Sequence, residues 1–264
     1  LLKAIARTTL LREAVFLFSG GAVVRLDDIL PQGVWVRLLG SDHGKSVYRV
    51  AVKTRDGGQY DMAVNLNVDL PAGAMDEEIN WLIVCGEERD RAPLVELFGG
   101  QWPDYGLWTE EFIPGETLDH ALDRLERRSR DDGWYESIWP FAAWSALGAY
   151  ADFWDRTGRR LVIDDPTPAN VIVPMHDYHA GSRLVSISAR RPFISLVDML
   201  QTFQSQFIES IEAKHPRLQG LAGWDVIFSA LLEVVGETEG MALLREALED
   251  PDSGMGAEMA AAMR

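Results

Sequence analysis

One cysteine, Cys85, is all the sequence contains. No disulfide can therefore close within the chain, and a reducing, cytoplasmic setting is expected. Its apolar neighbours in a helical pattern fit a buried, inert thiol rather than a nucleophile. Histidine is scarce too. His43, His120, His176, His179 and His215 are the only five, and they lack the cysteine partners and spacing of a zinc site. Positive charge is in deficit: 25 lysines and arginines stand against 41 acidic residues, for a net charge of −16. Such a surface repels phosphate backbones and anionic lipid heads. Nucleic acid and membrane are thus not expected partners, and a cationic or neutral small molecule is easier to accommodate. No apolar run is long enough to span a bilayer. Repeats, low-complexity blocks, a Gly-x-Ser-x-Gly elbow and a Ser/His/Asp order are all missing. Gly40 to Ser46 has the glycines and lysine of a phosphate loop, but it is one residue short and lies between two strands, which excludes that motif. The chain opens on Leu1 rather than Met, so it reads as a piece of a longer parent chain with further domains.

What is present suits two packed lobes, given 264 residues. Leu10, Leu11, Ala14, Leu17 and Phe18 share one face of a helix over 1–18, closed by Gly20-Gly21. Strands are expected at 34–39, 46–54 and 60–68. Arg55-Asp56-Gly57-Gly58 forms the hairpin turn between the last two, because Asp-Gly and Gly-Gly accept positive φ. A helix over 74–91 follows, then short strands at 94–98 and 105–109. After Phe112-Ile113-Pro114-Gly115 the pattern turns helical, with helices at 118–128 and 138–156. Trp134, Trp139, Trp144 and Trp154 read as helix packing. Short β runs fall at 161–163, 171–173 and 194–197, and the mostly polar 175–192 carries one more at 184–187. Helices at 201–213, 221–235 and 239–249 end the pattern, and the Gly- and Ala-rich tail after Pro251 has a composition that frays. The expected division is an N-terminal helix (1–25), a sheet lobe with one helix (26–113) and a helical lobe (114–264), an α+β architecture.

The chemistry concentrates in Leu161-Val-Ile-Asp164-Asp165-Pro-Thr-Pro-Ala-Asn170-Val-Ile-Val173. A strand leads into an acidic turn and a strand leads out. Asp165 and Asn170 can point a carboxylate and an amide at one spot, the first to accept a hydroxyl proton and the second to ligate magnesium. Asp198, at the end of the apolar run Ile194 to Val197, offers a hard oxygen ligand of the kind Mg²⁺ takes. Each feature has a plainer reading. An Asp-Pro turn is commonly only a turn, and Asp198 could be the N-cap of a helix over 199–209.

Asp165-x-x-x-x-Asn170 followed by Val-Ile-Val resembles the catalytic loop of protein kinases and, more closely, of aminoglycoside and choline phosphotransferases. Asp198 resembles the metal-binding Asp that follows that loop. Glu111-Phe-Ile113-Pro-Gly-Glu-Thr-Leu118 is similar to the hinge of the small-molecule phosphotransferases. The resemblance runs from about Val34 to Asp198 and implies a bilobal protein-kinase-like fold. It further implies that ATP and Mg²⁺ lie between the lobes, with catalytic-loop-like chemistry in 161–200. Asp165 would be the base, Asn170 and Asp198 the metal ligands, and the main chain near Glu111 and Ile113 the adenine contact. The loop from Gly40 through Gly44 to Lys45 would cover the phosphates.

Three departures qualify this. Asn65 stands in Ala63-Val64-Asn65-Leu66 where the family carries the third-strand lysine, and a neutral amide cannot replace an ammonium against phosphate. Lys45, in Gly44-Lys45-Ser46-Val47-Tyr48, resembles the displaced phosphate lysine of with-no-lysine kinases. It could reach the same point from the neighbouring strand, or it could simply be solvated. Glu78, bordering the apolar face of the 74–91 helix, is its expected partner or else a solvated helix charge. Ile163 replaces a largely structural histidine, and Asp198-Met199-Leu200 lacks the usual Phe and Gly. Asp164 next to Asp165 leaves room for a one-residue slip, with the spacing to Asn170 favouring Asp165. The expected function is phosphoryl transfer from ATP to a small-molecule hydroxyl. Its alternatives are a pseudokinase regulatory or interaction module, which Asn65 favours, and a kinase-like fold that transfers a nucleotidyl group.

Overall fold

β-Branched residues alternating with polar ones, joined by an Asp-Gly-Gly turn, dictate an antiparallel hairpin at the heart of the first half. The computed structural model describes residues 16, 25–42, 45–67, 74–86, 97–102, 106–128, 133–173, 181–187, 189–250 and 256–263. These residues divide into two compact units, with the boundary between Ile113 and Pro114. The helix expected over 1–18 and the loop histidines His43, His176 and His179 lie outside the described residues, except Phe16.

The first unit is built on β1 (Ile29–Asp42), β2 (Lys45–Thr54), β3 (Gln59–Asn67), β4 (Leu97–Trp102) and β5 (Leu107–Glu111). They form one antiparallel sheet in the order β1-β2-β3-β5-β4. In the turn after β2, Gly57 takes φ 91°. The Asp56 carboxylate accepts from the Thr54 hydroxyl and, at 3.2 Å, from the Gly58 amide, and these hydrogen bonds hold its pKa below the usual carboxylate range. Helix α1 (Ala74–Gly86) buries Ile79 and Leu82. Val50, Val52, Met62, Val64 and Leu107 are buried in the sheet.

Two expectations shift here. β1 begins earlier than 34, because Gln32 at φ 60° and register breaks at Ile29/Val34 and Leu38/Gly40 let an irregular edge strand continue through Pro31 and Gly33. The last two strands start two to three residues later than expected. Gly106 at φ +58° turns the chain into β5, and its carbonyl accepts from the Asn67 amide at 2.8 Å. A β-carbon there would come 1.9 Å from the Asn67 carbonyl oxygen, so only glycine fits.

The second unit centres on α3 (Trp134–Arg156), a 23-residue helix. It starts four residues earlier than expected, after Gly133 in the left-handed conformation. Trp139, Ala143, Leu147, Tyr150, Phe153 and Trp154 are all buried on it, and it packs against β6 (Leu161–Ile163) and α6 (Trp224–Val235). Ahead of it, α2 (Leu118–Arg128) buries Leu118, Ala121, Leu122 and Leu125, an i, i+3, i+4, i+7 stripe. β6 pairs antiparallel with β9 (Arg190–Pro192), and β7 (Val171–Ile172) with β8 (Arg183–Leu184).

The apolar run 194–197 is not a strand. Ser195 caps α4 (Leu196–Thr202), accepting from the Asp198 amide at 3.1 Å. The helix then runs through a π segment (Phe203–Ile208) into α5 (Glu209–Lys214). Helix α7 (Glu237–Glu249) follows α6, and the C-terminal residues expected to fray instead form α8 (Ala257–Ala262), anchored by buried Met259. Among the described residues no helix is long and apolar enough to cross a membrane.

Candidate functional site

In the second unit, β6 delivers Asp164 and Asp165 to a turn whose residues are fixed from both sides. The Asp164 amide donates to the Ala189 carbonyl at 2.9 Å. Thr167 caps the 3₁₀ turn Pro168–Asn170, and the Asn170 amide donates back to the Thr167 carbonyl at 3.0 Å. The Asn170 carbonyl accepts from Val185 at 2.9 Å, which ties the turn to the chain after β8. From below, the Tyr150 hydroxyl of α3 donates to the Thr167 carbonyl at 2.8 Å. Burial, reinforced by the Asp165 carboxylate, pushes the Tyr150 phenol above its usual range. The turn is thus a braced platform with Asp165 exposed on top and Asn170 half-buried at its end.

A phenol raised by the fold stays neutral in the folded state after it would ionise in the unfolded chain. Its contribution is therefore complete below about pH 10 and lost as pH rises beyond that value. Tyr150→Phe should cost about 1 kcal/mol at neutral pH through the lost hydrogen bond. The gap between wild type and variant should close in urea denaturations carried above pH 10, and a gap that stays constant with pH would contradict the burial of the phenol.

The residue absent from the sequence reading is Arg191. It lies opposite Val162 in the β6–β9 pair. Its Nε is 2.7 Å from Asp164 Oδ1 and its Nη2 is 2.6 Å from Asp198 Oδ2. The second contact is a charge pair without hydrogen-bond alignment, since Asp198 Oδ2 has no hydrogen-bond partner. Nη2 also donates to the Thr202 hydroxyl at 3.3 Å, and that hydroxyl donates to the Asp198 carbonyl at 2.8 Å. Asp198 is the third residue of α4, not the end of a strand and not its N-cap. The aspartate that joins it through Arg191 is Asp164, the neighbour of Asp165. Among the described residues, no group of three or more His, Cys, Asp or Glu is placed to hold a metal ion. The Arg191 guanidinium occupies Asp198 Oδ2, so a cation at that oxygen would compete with it.

In the first unit, β2 and β3 bring Val47 opposite Asn65 and Lys45 opposite Asn67, and β5 brings Trp108 opposite Asn65. These side chains share one face of the sheet. Lys45 Nζ lies 5.0 Å from the Trp108 ring centroid, a cation–π contact. Trp108 Nε1 donates to Glu110 Oε1 at 2.7 Å, and both residues are buried. Asn65 is 0% exposed, and neither its amide nitrogen nor its oxygen has a hydrogen-bond partner. Gly40 pairs with Val47 beside a register break and has open space around its α-carbon. Gly44 and the side chain of Glu78 lie outside the described residues. Glu111 ends β5 opposite Met62, and Ile113 follows it, half-buried. The sequence signal for Trp108 and Glu110 was their period-2 spacing, and for Arg191 the basic pair Arg190-Arg191 ahead of Asp198. A scan of family models gives no match to this chain, and no curated protein matches it.

Proposed function

We propose that this chain is a bilobal protein-kinase-like module that holds a nucleotide without turning it over, in a regulatory or interaction role. The observation that carries the reading is Arg191, whose guanidinium takes up the carboxylates of Asp164 and Asp198 at 2.7 and 2.6 Å. Asn65, an uncharged and unpartnered amide where the resembled family has its phosphate lysine, points the same way. The fold assignment is supported by the order of elements: an antiparallel sheet with a helix after its third strand, then a helical unit containing strand, acidic turn and strand. In the sheet unit, Lys45 would meet the phosphates together with the Gly40–Gly44 stretch, and the main chain at Glu111 and Ile113 would meet the adenine.

A second reading, an ATP- and Mg²⁺-dependent phosphotransferase acting on a small-molecule hydroxyl, is favoured by Asp165. Its carboxylate is exposed and has no ion pair among the described residues, so an acceptor hydroxyl can reach it. In that reading Asn170 and Asp198 would hold the metal, and the acidic surface would suit a cationic acceptor. Nucleotidyl transfer is a variant of the same reading.

Thermal shift with ATP, with and without Mg²⁺, followed by turnover against hydroxylated acceptors, decides between them. The proposed module gives an ATP shift that Mg²⁺ leaves unchanged, weakens in Lys45→Met, and releases no ADP. A Mg²⁺-dependent shift lost in Asp198→Ala, together with acceptor-dependent ADP release abolished in Asp165→Ala, establishes the second reading instead. No shift with ATP under either condition removes the nucleotide from both.

A further inference from the structure

Away from Lys45, the same face of the sheet carries a feature that the nucleotide reading leaves unused. Trp35, Arg37, Arg49, Ala51, Lys53 and Gln59 line a concavity of about 280 Å³. The strand register explains why they meet: Trp35 lies opposite Ala51, Arg37 opposite Arg49, and Lys53 opposite Gln59. Directly opposed like charges on a sheet are destabilising. Here two guanidinium groups oppose each other, with an ammonium added four residues further along β2, beyond Ala51.

The charges are only partly compensated. Arg49 Nε holds Asp61 Oδ1 at 2.8 Å, and its guanidinium lies 4.5 Å from the Phe112 ring centroid. Asp61 is further occupied by Gln59 Nε2 at 3.1 Å. Lys53 Nζ sits 5.0 Å from the Trp35 ring centroid, and among the described residues no carboxylate pairs with Lys53 or Arg37. Three cations thus share this face with one carboxylate, Asp61, which pairs with Arg49, in a chain whose net charge is −16. Trp35 is 47% exposed on the edge strand, an open aromatic surface beside them.

We infer that this concavity is a binding site for a small phosphate monoester bearing a flat ring. Guanidinium groups bind phosphate oxygens in a fork that a lysine completes as a point charge, and the indole offers the stacking surface for the ring. The volume of about 280 Å³ falls just below the range of drug-sized sites, about 300–1,000 Å³, which suits a ligand as small as an aryl phosphate. At about 3.3 Å per residue, Arg49 and Lys53 lie about 13 and 26 Å along β2 from Lys45. The site is therefore separate from the phosphate end proposed for the nucleotide and does not depend on that reading.

Calorimetric titration with phenyl phosphate, inorganic phosphate and benzyl alcohol tests it. Phenyl phosphate should bind the wild type with a Kd of about 1 mM or tighter, and inorganic phosphate about tenfold more weakly, because it has no ring to stack. Benzyl alcohol should give no measurable binding. Arg37→Gln and Trp35→Ala should each weaken phenyl phosphate about tenfold or more. Both positions are exposed, so folding is preserved and is checked by circular dichroism. Lys45→Met should leave the affinity unchanged. Absence of binding to the wild type overturns the assignment. So does binding that persists in both Arg37→Gln and Trp35→Ala, or binding lost in Lys45→Met but kept in Arg37→Gln.

Discussion

Asn65→Leu should stabilise the sheet unit by about 1–3 kcal/mol, the desolvation cost of a polar group that makes no hydrogen bonds inside the protein. Asn65 is wholly buried between Val47 and Trp108 on neighbouring strands, with both amide atoms unpartnered. Leucine has the same branching and number of side-chain atoms, so the swap removes the polar penalty with little change of shape. A unit of this size gains roughly 4–8 °C in melting temperature for each kcal/mol. The rise should be visible in a thermal melt followed by tryptophan fluorescence, with Lys45 and Trp108 left in place. A fall in melting temperature would mean that the amide is satisfied after all. Loss of the ATP shift in the stabilised variant would separate function from stability at this position.

Arg191→Gln should act in the opposite direction, and on the other unit. Wild-type Arg191 meets Asp164, Asp198 and the Thr202 hydroxyl together. Asp164 is 59% exposed and Asp198 34%, so solvent screens much of the attraction and the expected loss is about 1–2 kcal/mol. The larger effect is chemical. Removing the guanidinium leaves two carboxylates facing one another with no cation between them, the environment in which a divalent ion is favoured. Mg²⁺ at tenfold excess over its Kd would then stabilise the variant by about 1.4 kcal/mol while leaving the wild type unmoved. Melts with and without Mg²⁺ on both proteins read this directly. If Mg²⁺ already stabilises the wild type, its carboxylates are open to metal as they stand, and the phosphotransferase reading gains.

The strands of the sheet unit were legible in the sequence because their signal is local. Val47, Val50, Val52, Met62 and Val64 mark two runs, and Asp56-Gly57-Gly58 can hardly be anything but their turn. Ile194 to Val197 misled for a related reason: a branched apolar run looks like a strand until Ser195 is recognised as a cap three residues ahead of Asp198. That expectation put Asp198 at a strand end, whereas it lies in the first turn of a helix, where its partner is Arg191. That partner could not be foreseen, since the contact joins β9 to α4 through the side of a two-strand pair whose register no local pattern announces. The acidic turn itself, from Asp164 to Asn170, was plain from its Pro-rich spacing, whereas its bracing by Tyr150 depends on how α3 packs beneath it. Burial of Asn65 was equally hidden, because an amide in alternating sequence normally marks a solvent-facing position.

The π segment Phe203–Ile208 has a consequence for how this protein can vary. The Glu209 amide reaches back to the Gln204 carbonyl rather than to the next one along, so one extra residue is accommodated inside a helix that otherwise continues unbroken from Leu196 to Lys214. That residue rotates everything after it by about 100° relative to everything before it. Met199 and Leu200 upstream and Ile211 downstream are buried on the two sides of this offset. A homologue lacking one residue here could keep the helix but would have to choose which of its ends still faces inward.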